Sequence, residues 1–241
     1  GAQAVYWNRR YEPAIEVRDA ALKRALRGLG LDARSHNGAL LFEPWQVQTQ
    51  AGDPYKVFTP FWRTALKQWR LAETVEAPGS LPAPPPLDGA LALDALELAP
   101  ARPWDRGFWE TWTPGEAGAQ AALEDFAAGA LHGYATRRDI PGVRGTSRLS
   151  PHLHFGEIAP WRIAHRLQAM GAATDRDTYL KELGWREFAH HLLHHFPHTP
   201  DANFNPRFDD FDWAEPTDAQ LEAWRRGRTG IPIVDAGLRE L

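Results

Sequence analysis

Thr146, Ser147, Arg148 and Ser150 stand directly before Pro151, setting three hydroxyls beside a guanidinium. Proline is tolerated at the first position of a helix and serine is a favoured cap, so a helix is expected to begin here with Ser150 as N-cap. Free N–H groups and a positive partial charge at such an end attract anions, and phosphate binding is the chemistry this arrangement could serve. A cap with no ligand explains the same residues. The local charge speaks for the anion: residues 134–170 hold six arginines against two acids, in a chain whose formal net charge is −4.

A second group lies at Tyr179, Glu182, Trp185 and Arg186. On a helix, Tyr179, Glu182 and Arg186 fall at i, i+3 and i+7, with Trp185 beside them. Rings to stack, a carboxylate to accept N–H groups and a guanidinium for phosphate suit a flat polar ligand such as a base. An amphipathic helix with a Glu182–Arg186 ion pair is the plainer account of the same spacing. His190, His191, His194 and His195 follow as two i,i+4 pairs that could hold a metal. No third ligand stands at a recognisable spacing and no glutamate lies between them, so no metal residue is assigned. Further on, Phe208, Phe211, Trp213 and Trp224 are interleaved with Asp209, Asp210 and Asp212. These aromatics read as core unless a partner chain of tryptophans makes them redox relays.

The elements that must position these groups follow from the pattern. An apolar strand over Ala4–Trp7 ends near Asn8, and a helix follows over about Ile15 to Leu29 with Val17, Ala21, Leu22, Ala25, Leu26 and Leu29 as its apolar stripe. A strand is expected at Leu40-Leu41-Phe42, and a second helix from Thr59-Pro60 to Arg70. That alternation is the rhythm of a parallel sheet with crossovers. Residues 71–108 carry seven prolines among Ala and Gly and read as a semi-extended linker. From Trp109 the spacing of Leu123, Phe126, Ala127, Ala130, Leu131 and Tyr134 is helical. The expected fold is therefore the end of an α/β domain (1–70), a linker (71–108) and the beginning of an all-α domain (109–241). The apolar opening and the uncapped helical pattern at Leu241 are read as the cut ends of an internal piece.

Composition sets outer bounds. A length of 241 residues suits one large domain or two smaller ones. The absence of cysteine excludes disulfides, thiolate metal sites and cysteine nucleophiles, and fits a reducing compartment. No signal peptide and no apolar run approaching the roughly 18 residues of a membrane span are present, so no membrane partner is expected. Eleven tryptophans against one methionine is an unusual ratio that a Trp-rich core would explain.

Four long motifs then occur in order. Residues 145–157, GTSRLSPHLHFGE, resemble the flavin-phosphate motif of the DNA photolyase and cryptochrome family. Residues 182–188, ELGWREF, resemble its substrate-facing helix, and residues 227–237, GRTGIPIVDAG, the stretch leading into the second half of the flavin pocket. Residues 55–61, YKVFTPF, are similar to a segment of the class I branch. The resemblance implies the end of a Rossmann-like domain followed by an all-α FAD-binding domain, truncated at both ends.

What it implies residue by residue is as follows. Tyr134 and Thr146, Ser147, Arg148, Leu149 and Ser150 would hold FAD, with hydroxyls and N–H groups at its phosphates. Tyr179 takes a place near the flavin where the family usually has a tryptophan or similar aromatic. Glu182 would accept a hydrogen bond from a flipped-out pyrimidine dimer and Trp185 would stack against it. Arg138 and Arg186 would grip flanking DNA phosphates. Trp213 would be the solvent-side member of the chain that photoreduces the flavin. The activity implied is light-driven splitting of cyclobutane pyrimidine dimers in DNA by a lyase that is monomeric at full length, cytoplasmic, of bacterial type and associated with DNA. A dimer has lost stacking and pairing, so extruding it costs less than extruding intact bases. An antenna chromophore is also implied, its identity left open; Ala14 and Ile15 replace the Asn-Glu pair of folate-binding members. Within the family the alternative is a cryptochrome-type photoreceptor, against which Glu182 and Trp185 weigh. Outside it stands a metal-binding helical module built on the histidines.

Overall fold

A computed structural model describes residues 2–70, 78–82, 89–168 and 170–240. Strands β1 (Ala4–Asn8) and β2 (Asp32–His36) pair in parallel, with Ala4 opposite Asp32 and Asn8 opposite His36. Parallel neighbours need a crossover, supplied by α1 (Pro13–Gly28), which ends as Gly30 turns at φ 79°. The apolar stripe expected of this helix does not enter a core. No α1 residue is buried, and Val17 and Leu29 are 72% and 78% exposed. A two-stranded sheet offers too little surface to cover it.

The strand expected at 40–42 is a correction. The second strand lies earlier, and residues 39–42 form a bend. Leu40-Leu41-Phe42 is apolar because it plugs a core, with Leu40 and Phe42 buried. Its N–H groups find side-chain acceptors instead of a ladder: Leu40 donates to Asn37 Oδ1, and Leu41 and Phe42 donate to the Glu187 carboxylate of a distant helix. After it come α2 (Phe58–Gln68), α3 (Arg106–Thr111), α4 (Glu116–Ala128), the single turn α5 (Tyr134–Arg137), α6 (Ser150–His154), α7 (Pro160–Leu167) and α8 (Ala173–His195). Part of the expected linker at 71–108 lies outside the described residues. Within its described portion a 3₁₀ turn spans Leu93–Leu96 and α3 begins.

Two cores meet on α8. Leu123, Phe126, Leu131, Tyr134, Leu149, Ile163 and Leu167 surround Tyr179 and Leu183 on one side. Phe42, Val47, Phe58, Phe61, Trp62 and Ala65 pack with Phe188 on the other. Four of these last, Phe58, Phe61, Trp62 and Ala65, fall at i, i+3, i+4 and i+7 of α2, a stripe that buries in one piece. Compactness divides the chain into Gly1–Pro197 and His198–Leu241. In the second unit, α9 (Asp218–Arg225) opens with a Thr217–Gln220 capping box. α10 (Pro232–Glu240) follows a loop in which the Asp235 carboxylate accepts from the Thr229 N–H and hydroxyl, both at 2.6 Å, and from the Gly230 N–H at 3.1 Å.

Candidate functional site

The site is assembled on α8, whose two cores leave one stripe free. Glu182 and Trp185 occupy it, one turn apart, with Trp185 47% exposed. The ion pair expected between Glu182 and Arg186 does not form. Glu182 is taken by Arg138, which follows α5, and the Arg186 guanidinium donates instead to the Ala39 carbonyl at 2.6 Å. Long-range packing supplied better-placed partners than the helix's own next turn.

Arg138 opens a connected chain of groups. Its guanidinium lies 5.9 Å from the Tyr134 ring, and burial raises the pKa of the Tyr134 phenol. The Tyr134 and Tyr179 rings meet edge to face at 5.2 Å, and the Tyr179 hydroxyl donates to Ser147 Oγ at 3.1 Å. Ser147 Oγ also accepts from the Leu149 N–H at 3.4 Å. Burial holds the Tyr179 phenol well above its ordinary pKa, so it remains a donor. Residues from three separate stretches of sequence thus form one network: Glu182, Arg138, Tyr134, Tyr179 and Ser147. Asp175 anchors it by accepting the Gly133 and Ala135 N–H groups, each at 2.9 Å, which fixes the start of α5 against α8. Those two hydrogen bonds hold the Asp175 carboxyl below its ordinary pKa.

The hydroxyl segment is divided by the structure. Thr146, Ser147 and Arg148 line a cleft of about 540 Å³ together with Trp112 and Arg144. Arg148, in the left-handed region at φ 54°, sets its guanidinium 4.9 Å from the Trp112 ring. Ser150 lines a different cleft of about 270 Å³, with Arg9, Tyr11, Arg186 and His190. Ser150 as N-cap is corrected: Leu149 holds that position with no side-chain cap, Ser150 is the first helical residue and Pro151 the second. Leu149 is fully buried, with its N–H on Ser147 Oγ and its carbonyl accepting from the Leu153 N–H, so it packs in the core beneath the segment. Trp213, in the second compact unit, is 73% exposed with its ring 4.6 Å from Phe211.

The histidines are occupied within the chain. His190 meets the Arg186 carbonyl, His191 and His195 the Pro44 carbonyl at 2.9 and 3.1 Å, and His194 the Glu16 carboxylate at 3.0 Å. Burial lowers the His191 pKa to about 4. Sequence reasoning passed over Glu187. Its side chain is 1% exposed and accepts the Leu41 and Phe42 N–H groups at 2.8 and 3.1 Å, and burial raises its pKa to about 8. The available signal was a carboxylate one residue before Phe188, on the core side of the helix. Phe58, stacked on Trp185, was also missed because the two are far apart in sequence.

The family described as DNA photolyase matches residues 1–85, and the FAD binding domain of DNA photolyase matches residues 179–241. Over 245 residues the chain is 45% identical to a deoxyribodipyrimidine photo-lyase of Agrobacterium fabrum, covering 100% of this chain and 51% of that protein. The crystal structure of a bacterial class III photolyase from Agrobacterium tumefaciens superposes with a TM-score of 0.91 at 46% identity, covering 100% of this chain and 50% of that one. Cryptochrome-2 of Arabidopsis thaliana is 33% identical over 263 residues, covering 100% of this chain and 42% of that protein. The chain belongs to the DNA photolyase and cryptochrome family. It spans about half the length of the curated photolyases it matches. The class I branch is not singled out by these likenesses. The cleft at Thr146–Arg148 is lined by hydroxyls, two guanidiniums, an indole and the Asp125 carboxylate, a mostly cationic and polar set.

Proposed function

We propose that this chain serves light-dependent repair of cyclobutane pyrimidine dimers, as part of a deoxyribodipyrimidine photo-lyase that is monomeric, cytoplasmic and associated with DNA. The observation that carries the reading is the network on α8, which links Glu182 to the flavin-phosphate segment through Arg138, Tyr134 and Tyr179. FAD, when bound, supplies the light-driven electron that opens the cyclobutane ring. The remaining work falls to the protein's own side chains. Thr146, Ser147 and Arg148, with Tyr134 and Tyr179 behind them, hold the cofactor, with hydroxyls and a cation toward its phosphates. Glu182 accepts an N–H of the extruded base and Trp185 stacks on it. Arg138 and Arg186 face flanking phosphates, and Trp213 passes electrons at the solvent side. We assign residues 1–70 to the α/β antenna-type part, 71–108 to the linker and 109–241 to the helical part. The change from β1–α1–β2–α2 to helices alone supports that division. A second chromophore would belong to the α/β part. No helix among the described residues is long and apolar enough to cross a membrane.

The test is to purify the chain with FAD, record its visible spectrum and titrate it with oligonucleotides that contain or lack one thymine dimer. Bound flavin with preference for the dimer is expected. Flavin without that preference would favour the cryptochrome-type sensor. Neither flavin nor preference from folded protein would overturn the reading.

A further inference from the structure

We propose that Phe58 is a positioning residue for lesion recognition, holding the Trp185 indole so that a single face is left to receive a base. The inference rests on the reading of Trp185 given above and adds to it a residue of the α/β part. The Phe58 and Trp185 rings are parallel within 11°, with centroids 3.6 Å apart. Phe58 is buried, while Trp185 is 47% exposed. One indole face is therefore covered by a ring that is itself fixed in a core, and the other is open.

Phe58 is in turn fixed from behind. Trp62, one turn along α2, is parallel to it within 12° at 6.3 Å. Phe188 meets both Phe58 and Trp185 edge to face, at 5.8 and 6.1 Å. Close approach of the two helices depends on Gly184, where an added Cβ would stand 2.6 Å from Trp62 Cε3. An exposed indole on a helix ordinarily samples several rotamers and loses that freedom on binding a ligand. Here the ring order is built in before a base arrives, so stacking on the free face carries less entropic cost. α2 thereby acts on recognition without touching the substrate.

The experiment compares affinity for a thymine-dimer oligonucleotide with affinity for its undamaged counterpart, for the wild-type chain, Phe58→Leu, Trp185→Ala and the double variant. Phe61→Leu serves as control, since Phe61 lies in the same core and packs on Phe188 and His191. Trp185→Ala should reduce the dimer preference by about 5- to 140-fold, the range of one base–aromatic stack. Phe58→Leu should remove about tenfold of it, and nothing further in the Trp185→Ala background, because coupled residues are not additive. Phe61→Leu should lower the melting temperature to a similar degree and leave the preference intact. If Phe58→Leu and Phe61→Leu act alike, or Phe58→Leu adds fully to Trp185→Ala, Phe58 is only core and the inference falls. If Trp185→Ala has no effect, or the wild-type chain shows no dimer preference, the underlying reading of Trp185 falls and carries this inference with it.

Discussion

Glu187 places a carboxyl where water does not reach, with Oε1 lacking any hydrogen-bond partner and Oε2 accepting two backbone N–H groups. Burial dominates and raises its pKa from 4.5 to about 8, so the folded chain prefers the neutral acid. The stability this contributes is present below the unfolded pKa and is lost as pH rises through the folded one. His191 has the opposite sign: its pKa falls from 6.5 to about 4, so stability is lost as pH falls through that window. Glu187→Gln keeps the acceptor and removes the charge. Its melting temperature relative to wild type should rise steadily between pH 5 and pH 8, and a constant difference would show that Glu187 is ionised in the fold throughout. At Arg138, the guanidinium is shared with Glu182 and remains partly exposed. Arg138→Ala should weaken damaged and undamaged DNA alike and reduce the salt slope of log Kd by about one. A loss confined to damaged DNA would mean that Arg138 acts by orienting Glu182.

α8 is the element that gives these residues a common frame. Tyr179 and Leu183 belong to one core and Phe188 to the other, so its solvent stripe is set by packing on both flanks. Gly184→Ala should force α2 and α8 apart, at about 1–3 kcal/mol of stability, read as a lowered denaturation midpoint. An unchanged midpoint would mean that Trp62 turns aside at little cost. The helices read from apolar spacing, α1 and α2, were legible in the sequence to within a few residues at each end. Leu40-Leu41-Phe42 was not, because a short apolar run looks the same whether it pairs in a sheet or plugs a core. The difference lies in Glu187, far along the chain, whose carboxylate takes the N–H groups a neighbouring strand would otherwise bind.

For the molecule as a whole, charge distribution matters more than charge total. A chain of net charge −4 has no general attraction for DNA, yet residues 134–170 carry a local excess of +4. DNA affinity should therefore fall steeply with added salt, with a slope of about −0.9 for each phosphate neutralised. A flat salt response would exclude this stretch as the contact surface.

The sequence by itself determined the chemistry available: the hydroxyl and arginine segment, the Glu182–Trp185 spacing and four ordered motifs are local, and local order is what a linear chain records. Only the tertiary structure decided the partners. It gave Glu182 to Arg138 instead of Arg186, divided Ser150 from Thr146 and Ser147 between two clefts, and set Phe58 behind Trp185. Each of those choices depends on which groups packing brings within a few ångströms, and residues far apart in sequence carry no mark of that proximity.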